Sequence, residues 1–263
     1  MQVHCCQLNL TWEDKTANFE NLRKLLTVNP IKQQSLLILP EMFNTGFSMN
    51  FASLAENLEN SRTLTFLGEI AREHQCHILA GMTLDRGGKL SNDAILINSE
   101  GEIQGNYSKI HPFSPSGEKA AGTPGHEVIT LPLGDWTLAP FICYDLRFPE
   151  IFRLATPAAE LLIVIANWPT PRVEHWITLL QARAIENQAY VIGVNRIGSD
   201  PNLEFPGRSL IIDPQGKILC DAGAEETILS ASLDLSYVRQ WRADFPATAD
   251  RTTPAQLSIN HLT

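Results

Sequence analysis

The sequence predicts an α/β fold of one domain, with two β-sheets and helices on their outer faces. Short apolar runs that end at turn residues alternate along the 263-residue chain with segments of helical periodicity. About ten strands and four helices follow one another in a single order. Neither an internal repeat nor a linker-like change in composition divides the chain, which favours one domain over two.

The N-terminal part of the chain shows this alternation first. Asp14 is a good N-cap, and the apolar positions that follow it lie on one helical face. The apolar run SLLIL ends at Pro40, and Ser99-Glu100-Gly101 is a hairpin signal between two strands. The predicted elements are a strand over 3–10, a helix over 14–28, a strand over 35–39, a helix around 64–71, and strands over 77–83, 93–98 and 102–109.

The second part continues the pattern and becomes rich in strands. Pro149 suits the first turn of a helix, and the segment Asp213-Pro214-Gln215-Gly216 is a turn between two strands. The predicted elements are a strand over 137–142, a helix from about 149, a strand over 161–166, a helix over 173–188, and strands over 189–194, 209–213, 217–220 and 228–234. We expect residues 1–263 to form one domain that ends in a C-terminal tail from about 235.

Composition and charge narrow the class of protein. The chain has 20 Lys and Arg against 29 Asp and Glu, a formal net charge of −9, and 44% hydrophobic residues. This is the composition of a soluble globular enzyme, and its acidic balance argues against a nucleic-acid or anionic-membrane partner. The N-terminal segment lacks the features of a signal peptide, and the longest apolar run, 161–166, is too short to span a bilayer. We therefore expect a cytoplasmic protein.

One of the five cysteines has the setting of a nucleophile. No C-x-x-C pair or metal-ligand spacing occurs, so we expect neither a disulfide framework nor a metal or other cofactor. Cys143 lies where a strand gives way to a turn and then a helix, which exposes a side chain above the sheet and brings N–H groups that favour a thiolate. The remaining cysteines fit core packing: Cys5, Cys6, Cys76 and Cys220.

A nucleophilic thiol needs a base and a group that stabilises an oxyanion. Glu41 follows the buried run SLLILP, and Lys109 ends another predicted strand. At strand ends of an α/β protein, such a carboxylate can accept a proton from a thiol and a charged lysine can stabilise an oxyanion. A Cys–His pair that uses His111 or His175 is the narrower alternative.

Three segments around these residues resemble the signature segments of the nitrilase superfamily of carbon–nitrogen hydrolases. They are LLILPEMFNTGF, GNYSKIHPF and FICYDLRFPEIFR, and the resemblance runs from about residue 1 to about 234. The later stretch ANWPTPRVEHWITLLQARAIENQAYVIGVNRIG is similar to the omega-amidase branch. The resemblance implies a four-layer αββα sandwich, no metal, and catalysis by Glu41, Lys109 and Cys143.

The same resemblance implies a second glutamate, seven residues before a glycine that opens a turn. Glu118 has that spacing to Gly125 and is expected to position the substrate or to assist proton transfer. Glu127 falls after the glycine and is the weaker candidate. The chain departs from related omega-amidases at Pro112, which removes a backbone donor and restricts His111.

The expected mechanism is acyl transfer to Cys143 through a thioester. The Lys109 ammonium and the backbone N–H of Tyr144 are the expected oxyanion donors. A distal carboxylate on the substrate would need an arginine, for which Arg172 is the first candidate and Arg147 the second. Aromatic pocket walls are expected from Trp168 and Trp176.

The resemblance thus implies an omega-amidase, an enzyme that hydrolyses the terminal amide of small 2-oxo dicarboxylic acid monoamides such as 2-oxoglutaramate. The partners expected are a small amide substrate and, from the resemblance, a second copy in a homodimer. The alternatives are another amidase or N-carbamoyl amino acid hydrolase of the same superfamily, or a non-catalytic relative that binds a small acid. The exact acyl group, the residue that binds its distal carboxylate and the pathway are not determined by the sequence.

We also expect Asp145, Arg147 and Glu150 to form an ion-pair network around the nucleophile.

Overall fold

The computed structural model describes residues 1–156 and 158–252 and contains two six-stranded sheets with helices on their outer faces. The α/β fold with two sheets is therefore confirmed, as one domain. In the described ranges no helix is long and apolar enough to cross a membrane.

The first sheet has the strand order β14–β1–β2–β3–β4–β5. Strands β1, β2 and β3 run parallel, whereas β14, β4 and β5 join by antiparallel pairing. Its strands are β1 (Gln2–Gln7), β2 (Leu36–Ile38), β3 (His77–Asp85), β4 (Leu90–Ile97), β5 (Ile103–Ser108) and β14 (Thr227–Ser232).

The second sheet has the order β13–β12–β9–β8–β7–β6, with a parallel centre formed by β7, β8 and β9. A separate two-stranded hairpin, β10–β11, follows β9. The strands are β6 (Leu131–Leu133), β7 (Trp136–Ile142), β8 (Leu161–Ala166), β9 (Tyr190–Asn195), β10 (Ile197–Ser199), β11 (Glu204–Pro206), β12 (Leu210–Ile212) and β13 (Ile218–Asp221).

The helices begin where the sequence offers caps. The Asp14 and Ser61 side chains accept hydrogen bonds from the first turns of α1 and α3, and Asp234 does the same for α7. The helices are α1 (Lys15–Val28), α2 (Phe51–Leu54), α3 (Arg62–His74), α4 (Glu118–Ala121), α5 (Pro149–Ala155), α6 (Val173–Asn187) and α7 (Leu235–Asp244).

Alternating side chains of the strands separate the core into two parts. Leu36 and Ile38 of β2 point into the apolar layer between the sheets, while Leu37 points to the layer under α1 and α3. Helix α6 packs on β9 and β12 of the second sheet. The order of layers is therefore helix, sheet, sheet, helix, which confirms the expected αββα sandwich.

The differences from the sequence prediction lie in short or polar elements. Strand β6 contains Pro132 and pairs along one side only, as proline requires of an edge strand. The segment expected as a tail from about 235 begins with α7, whose Val238 is fully buried, so tertiary packing orders it. The end of the expected tail, residues 253–263, lies outside the described residues.

This topology brings polar residues from both sheets to one edge. Glu41 follows β2, Lys109 follows β5, Cys143 follows β7 and Asn167 follows β8, each at the carboxyl end of its strand. Because β4 runs antiparallel to β3 and β5, Asn92 near its start reaches the same edge. Ligands commonly bind at such an edge in α/β proteins.

Candidate active site

Cys143 lies on a strained turn immediately after β7. Its φ is +47°, which is uncommon for a residue other than glycine, and a 3₁₀ turn runs from Cys143 to Arg147. The Asp145 side chain accepts the Ile142 backbone N–H at 3.0 Å and holds the start of this turn. A strand followed by a tight turn is the expected setting of a nucleophile.

Asp145 is fully buried and binds the turn to the loop after β5. Its carboxylate accepts the Tyr107 hydroxyl at 2.8 Å and the His111 backbone N–H at 3.0 Å, and its Oδ1 lies 2.9 Å from His111 Nδ1. The expected ion-pair network with Arg147 and Glu150 is wrong, since neither residue forms an ion pair within the described ranges. Hydrogen bonds to a buried carboxylate hold the turn instead.

Glu41 is fully buried at the start of a turn after β2, where its backbone packs closely against a glycine of β3. A Cβ on Gly81 of β3 would lie 2.5 Å from the Glu41 Cα, so only glycine fits there. Glu41 Oε1 accepts a hydrogen bond from Lys109 Nζ at 2.9 Å, and its Oε2 accepts the Asn167 backbone N–H at 2.8 Å. The carboxylate is therefore fixed by both sheets.

Lys109 forms ion pairs with two buried glutamates. Its Nζ lies 2.9 Å from Glu41 Oε1 and 2.8 Å from Glu118 Oε2, and the Phe47 ring lies 5.3 Å from the same nitrogen. Burial by itself lowers the pKa of Lys109, but the carboxylates of Glu118 and Glu41 outweigh it and raise that pKa above its ordinary value. Lys109 is therefore a fixed positive charge.

Glu118 lies with Lys109, whereas Glu127 does not. Glu118 is buried in α4 and accepts the Phe113 backbone N–H at 2.6 Å in addition to its bonds with Lys109. Glu127 is exposed and lies near His126. Pro112 stands between two N–H donors that are both used, because His111 donates to Asp145 and Phe113 donates to Glu118.

The thiol of Cys143 faces this charged cluster and has a raised pKa. Burial raises the pKa of Cys143 well above its ordinary value, and the Glu41 carboxylate raises it further, while Lys109 acts in the opposite direction. The expectation of a thiolate favoured by a helix N-terminus is therefore wrong for the resting site. The turn is too short to act as a helix dipole, and burial beside Glu41 keeps the proton on sulfur.

A narrow cavity leads from the surface to Cys143. Counted with its open mouth, it has a volume of about 370 Å³. Aromatic and apolar side chains form most of its wall, and the Cys143 Sγ lies 3.9 Å from the Asn167 carbonyl oxygen. The cavity is lined by Phe47, Phe113, Cys143, Tyr144, Arg147, Asn167, Trp168, Pro169, Arg172 and Leu203.

Two of the four expected binding residues are arginines at this cavity. Arg172 lies 5.5 Å from the Phe113 ring, and Arg147 lies 4.9 Å from the Trp168 ring. No carboxylate in the described part of the chain pairs with either guanidinium. The arginines therefore supply positive charge to an otherwise apolar wall.

The two tryptophans have different positions. Trp168 lines the cavity, and its indole N–H donates to the Arg172 carbonyl at 2.7 Å. Trp176 is fully buried, lies 5.5 Å from the Trp168 ring, and donates to the Arg208 carbonyl. The expectation that Trp176 forms a wall of the pocket is wrong, because α6 directs it into the core beneath Trp168.

The histidines have partners away from the thiol. The His111 ring stacks on Phe148 at 3.8 Å and its Nδ1 faces Asp145, while His175 Nδ1 faces Arg147 at 3.2 Å. Neither histidine lines the cavity at Cys143. In residues 1–156 and 158–252, no group of three or more His, Cys, Asp or Glu side chains is placed to hold a metal ion.

Three asparagines at the site were missed by sequence reasoning. Asn92 Nδ2 donates to Glu41 at 2.7 Å and to Glu118 at 2.8 Å, and Asn167 Nδ2 donates to the Glu41 carbonyl at 2.7 Å. Asn195 holds the backbone of Trp168, since its Oδ1 accepts the Trp168 backbone N–H at 2.7 Å and its Nδ2 donates to the Trp168 carbonyl at 3.0 Å. For Asn167 and Asn195 the available signal was an asparagine at the carboxyl end of a buried strand, whereas Asn92 lies near the start of its strand.

Comparison with known proteins agrees with this geometry. The sequence profile of the carbon–nitrogen hydrolase family matches residues 2–243. The chain belongs to the carbon–nitrogen hydrolase family. As a member of this family it is a hydrolase that acts on carbon–nitrogen bonds other than peptide bonds, and the resemblance found in the sequence is confirmed.

Individual carbon–nitrogen hydrolases resemble the chain over almost its whole length. A 2-oxoglutaramate amidase of Bacillus subtilis (strain 168) is 35% identical over 252 residues, which cover 94% of this chain and 96% of that protein. An omega-amidase of Yersinia enterocolitica is 37% identical over 252 residues, with coverage of 95% and 96%. A CN-hydrolase superfamily protein from Xanthomonas campestris, whose crystal structure has an arsenic adduct in its active site, matches with a TM-score of 0.90 at 31% identity, covering 96% and 97%.

Proposed function

We propose that the protein is an omega-amidase in which Glu41, Lys109 and Cys143 are the catalytic residues. One observation carries the proposal. Lys109 forms ion pairs with two buried glutamates, 2.9 Å and 2.8 Å away, and the charges of Glu41 and Lys109 act on the Cys143 thiol, which lines the cavity. Burying such a cluster is costly for folding, so a protein that only bound a small acid would have no physical reason to keep it.

The first half of the reaction forms a thioester. Glu41 accepts the thiol proton as the Cys143 sulfur attacks the amide carbonyl of the substrate. The positive charge of the Lys109 ammonium and the backbone N–H of Tyr144, at the start of the turn, stabilise the oxyanion. Glu41 then returns the proton to the leaving nitrogen, and ammonia departs.

The second half releases the acid. Glu41 takes a proton from a water molecule, which attacks the thioester carbonyl, and the same donors hold the second oxyanion. Collapse of this intermediate expels the sulfur, which regains the proton from Glu41. The net reaction consumes one water and one amide and yields one carboxylate and one ammonium. Because the Cys143 pKa is raised, the thiol is the resting form and Glu41 is needed as a base in each cycle.

The substrate class follows from the cavity mouth. An apolar channel with two arginines that lack carboxylate partners suits a short unbranched amide with an anionic far end. Relatives named 2-oxoglutaramate amidase and omega-amidase, at 35% and 37% identity, support the same substrate class. We assign the distal carboxylate to Arg172 first and to Arg147 second, with Trp168 as an apolar wall.

The substrate assignment is tested by ammonia release from a panel of amides. The panel contains 2-oxoglutaramate, 2-oxosuccinamate, N-carbamoyl amino acids, a neutral aliphatic amide and a nitrile. We expect the two 2-oxo dicarboxylic acid monoamides to give the highest kcat/KM. Turnover confined to N-carbamoyl compounds and nitriles would remove the omega-amidase assignment while leaving the family unchanged.

The choice of base is tested by two variants. Glu41→Gln keeps the size of the side chain but cannot accept the thiol proton, so we expect turnover to be lost. His111→Ala removes a ring that bonds Asp145 and not the thiol, so we expect most activity to remain. The opposite pair of results would favour a Cys–His hydrolase.

We propose that the enzyme forms a homodimer through α5 and α6. Leu154 of α5 and Ile185 of α6 are 74% and 56% exposed, and an ion pair between Arg153 and Glu186 links their helices. Burial of these side chains against a second copy would remove apolar surface from water.

Light scattering after size-exclusion chromatography tests the dimer. We expect Leu154→Glu to dissociate it. The control is Val28→Glu, at a site on α1 that is 73% exposed, which should leave the dimer intact. A monomeric wild-type protein would overturn the proposal.

We also propose a cytoplasmic location. All five cysteines are free, and three of them are fully buried in the core. A catalytic thiol and free cysteines persist in a reducing compartment. Cell fractionation with a marker enzyme for each compartment tests this, and recovery in the membrane or extracellular fraction would contradict it.

A further inference from the structure

Asn92 lies between the two carboxylates of the reaction cluster, which consists of Glu41, Lys109, Glu118 and Cys143. It belongs to β4, is 4% exposed, and its backbone carbonyl accepts the Lys109 N–H at 2.9 Å. One side-chain nitrogen serves both acids, since Nδ2 donates to Glu41 Oε1 at 2.7 Å and to Glu118 Oε1 at 2.8 Å. Asn92 therefore contacts both carboxylates of the site directly and Lys109 through its backbone N–H.

The orientation of the Asn92 amide is fixed by its neighbours. With the amide reversed, its oxygen would face two carboxylate oxygens at hydrogen-bond distance, which is repulsive. In the orientation present, Asn92 Oδ1 is buried and receives no hydrogen bond from a protein group in the described part of the chain. An unpaired buried acceptor is unfavourable for folding, so folding stability alone does not explain asparagine at this position.

The hydrogen bonds of Asn92 make the two carboxylates unequal. Glu118 accepts four hydrogen bonds, from Asn92 and Lys109 on Oε1 and from Lys109 and Phe113 on Oε2. A carboxylate has about four acceptor positions, so Glu118 has no free one. Both oxygens of Glu118 are therefore fully occupied, two of the bonds coming from Lys109.

Glu41 differs at one oxygen. Its Oε1 already accepts hydrogen bonds from Asn92 and Lys109. Its Oε2 accepts the Asn167 backbone N–H at 2.8 Å and a second hydrogen bond from Asn167 Nδ2 at 3.4 Å, which is the longest of the hydrogen bonds to either glutamate side chain. That weak bond is the one a proton can displace most easily. Oε2 is also the oxygen bonded to Asn167, whose carbonyl oxygen lies 3.9 Å from Cys143 Sγ.

We propose that Asn92 is a positioning residue that occupies the inner oxygens of Glu41 and Glu118 and so confines proton transfer with Cys143 to Glu41 Oε2. The inference rests on the proposed function, in which Glu41 is the base. It adds that the base acts through one oxygen only and that an amide donor, which carries no charge of its own, selects that oxygen.

Asn92→Asp and Asn92→Ser test the proposal. Asn92→Asp keeps the shape and replaces the shared N–H₂ donor, whereas Asn92→Ser removes the donor without adding an acid. We expect kcat to fall about 100-fold in both, as for a misplaced catalytic group, with KM changed by less than about threefold. Since ionised carboxylates lose a donor in each variant, we expect the acidic limb of the kcat/KM profile to move to higher pH.

Gln7→Glu is the matched control. Gln7 is fully buried, and its Nε2 also donates two hydrogen bonds, at 3.0 Å and 2.9 Å, but to the carbonyls of Gly223 and Glu225. We expect Gln7→Glu to lower the thermal midpoint about as much as Asn92→Asp while it leaves kcat within about twofold and the acidic limb unmoved. A general loss of packing would affect both variants alike.

A second readout does not depend on any amide substrate. The rate at which iodoacetamide labels Cys143, measured against pH, reports the shared proton of Cys143 and Glu41. We expect this profile to shift in Asn92→Ser and to keep its wild-type position in Gln7→Glu. An unshifted labelling profile in Asn92→Ser would overturn the inference. If the wild-type protein turned over no amide and the labelling profile still shifted, the proposed function would fail and the role of Asn92 would stand.

Discussion

The reaction cluster and the cavity mouth, where Arg147 and Arg172 lie, differ in how their charges are paired. In the cluster, Glu41 and Glu118 share the Lys109 ammonium, and every one of these charges has its partners inside the protein. At the mouth, Arg147 and Arg172 stack on aromatic rings, and within the described residues no carboxylate neutralises them. The first region is electrostatically complete, and we propose that an anionic substrate completes the second.

This difference explains how an acidic protein could capture an anionic substrate. The chain has a net charge of −9, so its long-range field does not attract anions. Two guanidinium groups at the mouth of a mostly apolar channel create a local positive potential where the anionic end would bind. The charges that we propose for the reaction and those that we propose for substrate recognition therefore lie in separate regions.

The largest expected effect is the fall in kcat when the nucleophile or the base of the reaction cluster is removed. Cys143→Ala removes the nucleophile and Glu41→Gln removes the base, and we expect either to lower kcat at least about 10⁴-fold, as for other nucleophile–base pairs. Ammonia release from 2-oxoglutaramate measures the effect. Near-wild-type turnover in Glu41→Gln would contradict the assignment of Glu41 as the base, and the buried cluster would then lack its proposed role in the reaction.

Loss of Lys109 should affect both activity and stability. Lys109→Met leaves two buried carboxylates without their shared cation, which should cost about 3–5 kcal/mol of unfolding free energy. The loss of an oxyanion donor should lower kcat about 10²- to 10³-fold. Chemical denaturation and ammonia release measure the two effects.

Lys15→Met is the control for this prediction. Lys15 pairs with Glu56 at a partly exposed position, and Glu56 keeps hydrogen bonds from Ser61 and Thr63 when the lysine is removed. Because Glu56 keeps these bonds and some access to water, we expect a smaller loss than in Lys109→Met, and unchanged activity. Equal losses in the two variants would mean that the buried cluster is no different from a single, partly exposed ion pair.

The arginines at the mouth should determine affinity for the anionic end of the substrate. Arg172→Ala removes a charge-assisted hydrogen bond, so kcat/KM for 2-oxoglutaramate should fall about 10- to 100-fold. Activity on pentanamide, a neutral amide of the same length, should change by less than about threefold. If Arg147→Ala shows this split and Arg172→Ala does not, the assignment of the distal carboxylate passes to Arg147.

The smallest expected effect is on stability at alkaline pH. The folded-state pKa of Cys143 is raised, so the folded protein keeps a proton that the unfolded chain loses above about pH 8.5. The stability contributed by this thiol is present below that pH and falls as pH rises, by up to about 1.4 kcal/mol per pH unit. Cys143→Ala should remove that part of the decline in unfolding free energy between pH 9 and 10, measured under reducing conditions. A slope unchanged from the wild type would contradict the buried, protonated thiol.

The sequence predicted most of the elements that carry the site. Glu41 and Cys143 follow strands marked by apolar runs, and Lys109 ends the strand that follows the hairpin signal Ser99-Glu100-Gly101. Local pattern is enough to place such ends. Helix α1 begins at the predicted cap Asp14 and ends at the predicted Val28, and β8 has its predicted bounds. These features depend on near neighbours in the chain.

The features that were missed depend on distant neighbours. Asn92 reaches Glu41 across 51 positions and Asn167 reaches it across 126, so only strand pairing and sheet packing bring them together. The same applies to Trp176, which α6 turns into the core, and to the thiol of Cys143, whose raised pKa comes from burial beside a carboxylate of the other sheet. Local pattern predicts where a side chain enters the site and does not predict its partners there.

The most direct test of the account compares two amides on the wild-type enzyme. Ammonia release gives kcat/KM for 2-oxoglutaramate and for pentanamide, which share a chain length and a terminal amide and differ in the 2-oxo acid end. We predict turnover of both through the same cluster, with 2-oxoglutaramate preferred at least about 100-fold because the arginines would bind its carboxylate. Equal values of kcat/KM, or a preference for pentanamide, would contradict it.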